Sequence, residues 1–266
     1  MWAALALTTV LTAPAQTGEL KLTNKRSTIG ILGPKREDNK VLPGDLLVVA
    51  FDIENLTVKN DGRIFYAMGM ELTKKGKSKA EFKRDPQDLE AMNNLGGSTL
   101  PTFAMTLVGT DTSPGTYILK VTVKDRGTKP VKTVTLEEEF EVLPLKLGLV
   151  QVKVTNTGGE PAPPLGVPGQ TLWLHYTLVG YEMTKANPPT PDVSVEMQIL
   201  DKETGKPTVE KPFGGRITMG SKEFLLFNPT PIQLNRAGKF TIVLKATDNI
   251  AKKSTEQRMD LEVLAR

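Results

Sequence analysis

The chain of 266 residues contains no cysteine and a single histidine. Without cysteine there is no thiol nucleophile, no thiolate metal site and no cysteine-ligated iron–sulfur cluster. The absence does not choose a compartment. It suits a reducing environment or an exported chain whose core is large enough to dispense with disulfides. One imidazole, His175, rules out a histidine-based metal cluster and leaves at most one ring for general-base work. No Gly-x-Ser-x-Gly turn is present to partner it, and neither Gly-Gly pair leads into a helix start with Lys-Ser/Thr, so a phosphate-cradling loop is missing too. No cofactor is expected. Charge of one sign is also scarce in any one place. The net +4 divides as 19 basic against 18 acidic residues over 16–143 and 15 against 12 beyond, and the signs alternate. A nucleic-acid partner, which needs a concentrated basic face, is not expected. No segment is long and apolar enough to span a bilayer, so no membrane span is expected either.

What the chain has instead is repetition. Val41-Leu-Pro-Gly-Asp-Leu-Leu-Val-Val-Ala-Phe-Asp-Ile53 returns 125 positions later as Gly166-Val-Pro-Gly-Gln-Thr-Leu-Trp-Leu-His-Tyr-Thr-Leu178. Pro114-Gly-Thr-Tyr-Ile-Leu-Lys-Val-Thr-Val-Lys-Asp125 answers to Ala237-Gly-Lys-Phe-Thr-Ile-Val-Leu-Lys-Ala-Thr-Asp248, and the copies close on Phe140-Glu-Val-Leu143 and Leu261-Glu-Val-Leu264. Repetition over this distance, with the recognisable strands in the same order in both halves, predicts two whole domains of one fold. The boundary falls at Leu143-Pro-Leu-Lys-Leu147, which gives domains at 16–144 and 145–266. Leu20-Lys-Leu-Thr-Asn24 and Val152-Lys-Val-Thr-Asn156 read as matching first strands. With no Gly/Ser linker between the copies, the angle between them should be restricted.

Residues 1–15 form an apolar run that ends in the small-x-small site Ala13-Pro-Ala15. Although it lacks a positively charged start, it reads as a signal peptide cleaved after Ala15. No cysteine follows it, so a lipid-anchored variant is not expected. The predicted location is therefore outside the cytoplasm: periplasmic, cell-surface or secreted.

Within each copy the apolar residues fall at period two, the mark of half-buried strands. Leu47, Val49, Phe51 and Ile53 match Leu172, Leu174, Tyr176 and Leu178 on an inward face. The alternate face pairs unlike residues (Val48 with Trp173, Ala50 with His175, Asp52 with Thr177) and should reach solvent in part. Next come Ile64, Tyr66, Met68, Met70 and Leu72, answered by Val193, Val195, Met197 and Ile199. Hairpin tips follow at 73–77 and 201–206. Leu95-Gly-Gly97 and Phe213-Gly-Gly215 read as a shared break before another strand. A helix is predicted in the first copy alone: Asp85 as cap, Pro86 at the first helical position, Leu89 and Met92 on one face and Gly96 as terminator. The 23 glycines and 19 prolines otherwise suit many short strands joined by turns.

Gly115-Thr-Tyr117 and Gly238-Lys-Phe240, each opening an alternating strand, resemble the Gly-x-Tyr pattern at the E–F corner of immunoglobulin-like sandwiches. The paired cysteines of antibody domains are absent. The chain is more similar to the tandem Ig-like or fibronectin-III-like modules of exported bacterial proteins. The fold class expected is thus all-β, two tandem Ig-like antiparallel β-sandwiches arising from internal duplication. The resemblance implies adhesion, spacing or ligand presentation by a non-enzymatic chain, with a protein or glycan partner at the cell envelope.

Candidate sites are few. Lys74, Lys75, Lys77, Lys79, Lys83 and Arg84 form the densest charge and could hold an acidic ligand, though a solvated hairpin tip explains them as well. Trp173 and Tyr181 could form an aromatic platform for sugar rings, the basis of an alternative reading as a carbohydrate-binding or accessory protein; core or inter-domain packing is the plainer account. Asp52 and Glu54, on one strand face, could act as a glycosidase pair, the third reading, or simply be solvated. Asp125 and Asp248 end matching strands and suggest turn capping, with calcium as the sharper alternative. His175, whose counterpart is Ala50, reads as a strand histidine. No catalytic or metal-binding residue is expected.

Overall fold

In a computed structural model, the structure describes residues 18–265, and every regular element in them is a strand. The apolar run read as a signal peptide lies outside the described residues. The first half comprises β1 (Lys21–Thr28), β2 (Lys40–Val41), β3 (Leu46–Glu54), β4 (Arg63–Lys74), β5 (Ala80–Met92), β6 (Leu100–Leu107), β7 (Gly115–Asp125) and β8 (Lys132–Val142). The second comprises β9 (Gly148–Thr155), β10 (Leu165–Gly166), β11 (Thr171–Val179), β12 (Val193–Asp201), β13 (Phe213–Ile217), β14 (Leu225–Leu226), β15 (Thr230–Gln233), β16 (Gly238–Asp248) and β17 (Lys253–Val263).

The strands form an all-β arrangement of two sheet pairs. In the first half a three-stranded sheet, β1-β3-β6, accompanies a five-stranded one, β2-β8-β7-β4-β5. In the second, β9 and the short β14 and β15 line β11, and the larger sheet runs β10-β17-β16-β12-β13. The orders match strand for strand, with β14 and β15 together standing where β6 stands. Register sets the correspondence of residues. Tyr66 opposes Asp125 and Val193 opposes Asp248, so Met70 corresponds to Met197, Leu72 to Ile199 and Lys74 to Asp201. Likewise Leu22 opposes Ile53 and Leu149 opposes Leu178. The textual likeness of Leu20–Asn24 to Val152–Asn156 is therefore out of register. The true spatial partner of Asn24 is Gln151, and both sit in the left-handed region, φ 51° and 53°, at a β-bulge.

Each half encloses its own core, drawn from residues 20–142 in one case and 147–263 in the other, with Ile29 of the first half packed against the second core. The inward faces are those the period-two pattern marks: Leu47, Val49, Phe51 and Ile53 in β3, and Tyr117, Leu119, Val121 and Val123 in β7, with their counterparts in β11 and β16. Burying each such side chain removes apolar area from water, at roughly 25 cal/mol per Å². The alternate face of β3 and β11 is less exposed than its mixed composition suggests. Val48, Thr177 and Val179 are all buried.

The helix expected after Asp85 does not form. Its residues lie in β5, which pairs with the whole length of β4. Leu89 packs on the core opposite Tyr66, and Pro86 sits at a bulge facing Gly69, where a Cβ on residue 69 would come within 2.7 Å of the Pro86 nitrogen. Cross-strand pairing outweighs the local capping signals, and an edge strand with a bulge tolerates the missing proline N–H. The two Gly-Gly pairs also differ. Gly96 and Gly97 form a turn between β5 and β6, whereas Gly214 and Gly215 lie inside β13 and pair with β12.

The halves meet at Asp45. Its Oδ1 accepts N–H bonds from Leu46 and from Gln151 of the second half, both at 2.8 Å, while its Oδ2 accepts from the Arg36 guanidinium at 2.7 Å. The Gln151 side chain donates in turn to the Gly44 carbonyl at 2.9 Å. Gly44 has φ 91°, and a Cβ there would come within 2.8 Å of Val179 Cγ1, so the turn needs glycine both for its conformation and for the approach of the second half. Asp45 and Arg36 are only 10% and 13% exposed at the side chain. Replacement Asp45→Ala strands a nearly buried guanidinium and the Gln151 amide, and should lower the unfolding free energy by about 3 kcal/mol in urea titrations. Small-angle scattering should then show a broader distribution of inter-half distances. Asp45→Asn, which keeps an oxygen for the Gln151 N–H, should show a smaller loss on both measures.

Candidate functional site

The lysine-rich tip joins β4 to β5, but its charges are largely engaged. Lys74 Nζ donates to Ser113 Oγ and the Pro114 carbonyl and lies 5.5 Å from the Tyr117 ring centre. Lys75 pairs with Glu139, Lys83 with Asp85, and the Arg84 guanidinium lies over Phe82. Lys77 and Lys79 project from the turn beyond these pairs, so the six residues do not converge as one anion-binding constellation.

Trp173 and Tyr181 do not form a shared platform. Tyr181 is buried in the second core and its hydroxyl donates to the Ser221 carbonyl; burial pushes its pKa up to about 12. Trp173, partly buried, is paired across strands with Thr155 and Pro231. His175 hydrogen-bonds Thr155 Oγ1 at 2.9 Å. Burial, and then the charge of Lys153 opposite it, hold the His175 pKa below its ordinary value. The unfolded chain thus takes up this proton at higher pH than the folded one, so the contribution to stability is intact above the ordinary value and is lost as pH falls through the folded one. With one histidine in the chain, an NMR titration gives one imidazole midpoint, expected below about 6.5. His175→Gln should remove its share of the stability loss on acidification from pH 7 toward 5.

The carboxylates are committed to structure. Asp52 accepts from Asn24 Nδ2, and Glu54 accepts from Thr23 Oγ1 and pairs with Lys21. Asp125 accepts from the Thr57 N–H and hydroxyl and from the Gly127 N–H; Asp248 accepts from the N–H groups of Glu182, Ile250 and Ala251. Both are fully buried, and each ties the end of its strand to the turn that follows and to a distant loop. This is the capping role expected of them. Among the described residues no group of three or more acidic or histidine side chains could hold a metal. Asp125→Ala and Asp248→Ala should each cost about 3 kcal/mol of stability by leaving buried donors unsatisfied, while excess calcium or a chelator should leave the melting temperature of the native chain unchanged.

The two corners that open β7 and β16 differ. Tyr117 donates from its hydroxyl to the Ser113 carbonyl at 2.8 Å and stacks on Phe140, ring centres 5.9 Å apart. In the second half the equivalents are Phe240 and Leu261, and Arg236 takes the place of Ser113, its guanidinium 4.6 Å from the Phe240 ring centre and its Nη2 2.7 Å from Asp201. Beside this corner a slot of about 470 Å³ opens between the sheets, walled by core residues including Met197, Ile232, Phe240, Leu261 and Val263 and flanked by the exposed Phe213 and Val209. No motif announces this slot in the sequence. The only trace is the loss of aromatic side chains from one copy.

No protein-family model and no curated protein matches the chain. Solved structures do. The chain is similar to dimeric latent PorU from Porphyromonas gingivalis at 13% identity and TM-score 0.38, over 94% of this chain and 20% of that one. It is similar to a DUF4785 family protein from Legionella pneumophila at 10% identity and TM-score 0.28, over 86% and 56%. A calcium-binding mutant of Bacteroides uniformis beta-glucuronidase 2 is similar at 10% identity and TM-score 0.36, over 81% and 26%. In each case the chain spans less than two thirds of the protein it resembles.

Proposed function

We propose that the chain is a non-enzymatic binding or structural module of the cell envelope or secretome, built from two tandem Ig-like domains, 16–144 and 145–266, that arose by duplication. The matching strand orders and the Tyr117 corner support the likeness to Ig-like or fibronectin-III-like modules. The observation that carries the functional reading is the employment of the buried acids. Asp45, Asp125, Glu138 and Asp248 are the buried carboxylates among the described residues. The first serves the joint between halves, and Asp125 and Asp248 serve turns. Glu138 binds Ser27, Asn39 and Lys25 across the sheets. All four are engaged by donors, so none of them is free to serve as a general acid or base. What remains for function is surface: strand edges, loops at the sandwich ends and the slot beside β13.

The test is a pull-down from envelope extract with residues 16–266, cross-linked and mapped by mass spectrometry, alongside a glycan array. One saturable partner, with cross-links confined to loops or sheet edges, is expected. Failure to enrich any protein or glycan would favour a passive spacer, and turnover of any arrayed glycan by the purified chain would overturn the non-enzymatic reading.

A further inference from the structure

The slot in the second half exists because that copy lacks side chains which close the same place in the first. Across β4 and β5, Leu72 opposes Phe82, which packs on the core, and Leu72 is 5% exposed. Its counterpart Ile199, still paired with Ile242 of β16, has no partner on the β13 side, where pairing runs only from Val193 to Met197. A loop contact takes its place, the Thr208 N–H donating to the Ile199 carbonyl. The stacked Tyr117 and Phe140 become Phe240 and Leu261. Three reductions in side-chain volume coincide at one wall, and the space they leave is of ligand size, within the range of about 300–1,000 Å³ typical of small-molecule pockets.

The lining states what would fit. Most of it is aliphatic: Met197, Ile199, Leu261 and their neighbours. Its one charged residue is Arg236, already neutralised by Asp201. Gln233 and Asn235 supply uncharged polar groups. A charged head would meet an ion pair that is already satisfied, whereas an uncharged donor or acceptor would meet amides. We propose that this slot is a binding site for a single alkyl chain bearing an uncharged polar head, such as an alcohol, ester or amide. The inference stands on the cavity alone and does not depend on the envelope reading.

A homologous series of 1-alkanols, followed by calorimetry and by the methyl resonance of Met197 in methionine-labelled full chain, tests it. Affinity should rise about fourfold per added methylene until the slot is full, then level off, with the Met197 signal moving in step and fatty acids of equal length binding more weakly. Thr208→Phe, at an exposed position, restores the ring that Phe82 provides in the first half, and Leu261→Phe restores that of Phe140. Either should reduce binding at least tenfold, and the Thr208→Phe variant keeps the test open if Leu261→Phe fails to fold. A Met197 resonance unmoved by saturating decanol, an affinity independent of chain length, or undiminished binding by folded Thr208→Phe would overturn the proposal. Decanoate binding as tightly as decanol would overturn the assignment of an uncharged head.

Discussion

A carboxylate removed from water must be met by donors on every side, and at Asp45 those donors come from both halves of the molecule. Leu46 and Arg36 belong to the first half and Gln151 to the second, so the full set of donors assembles only when the halves are docked. Docking in turn explains the burial of Val179, which lies against Gly44, and the partial burial of Ile29 against the second core. Apolar contact alone would tolerate sliding, since it is proportional to area and has no preferred direction. A hydrogen-bonded carboxylate does not. The joint therefore fixes an angle as well as an association, and the surfaces available to a partner are those of one two-lobed body.

Once the halves are held, they can differ wherever the fold does not constrain them. The corner at the start of β7 and β16 shows how the changes are coupled. Lys74 donates to Ser113 and Pro114 beside the Tyr117 ring; at the equivalent positions Asp201 accepts from Arg236, which covers the Phe240 ring. The cation has moved from one strand to the neighbouring loop and an acid has taken its former place, so a charge still caps the aromatic ring in both copies. The sheet edges diverge as well. β5 presents Glu81, Lys83, Arg84, Pro86 and Asp88 along its length, features that discourage edge-to-edge pairing. β13 presents Phe-Gly-Gly-Arg-Ile, shorter and less guarded, and leaves the end of β12 paired on one side only, with β16.

The inward faces were legible in the sequence because alternation at period two is a local property, visible in any window of eight residues. The Asp125 and Asp248 caps were legible because the repeat placed them at equal distances from equal strands. The β5 segment was misleading for the opposite reason: Asp85, Pro86 and Leu89 satisfy every local rule for a helix start, and only the long-range pairing with β4 overrules them. The Asp45 joint joins residues 106 positions apart, and nothing in either segment signals the other. The slot was invisible because it is made by what one copy omits. A missing phenylalanine carries no motif: the sequence sets Leu261 against Phe140, but nothing in it marks that exchange as an opening.

The bulge at Asn24 and Gln151 separates what belongs to the fold from what belongs to the joint. Both residues take the same left-handed conformation at the same point of the first strand, so the bulge is common to both halves. In the first copy the Asn24 side chain turns back to Asp52 of its own sheet; in the second the Gln151 N–H and side chain reach the Pro-Gly-Asp turn of the other half. That turn is repeated too, as Pro-Gly-Gln, but the residue equivalent to Asp45 is Gln170, whose Oε1 accepts the Val167 N–H within its own turn. A neutral amide satisfied locally asks for no outside donor. The acid at position 45 is thus what converts a turn common to both copies into a socket, and the bulge at position 151 is what fills it.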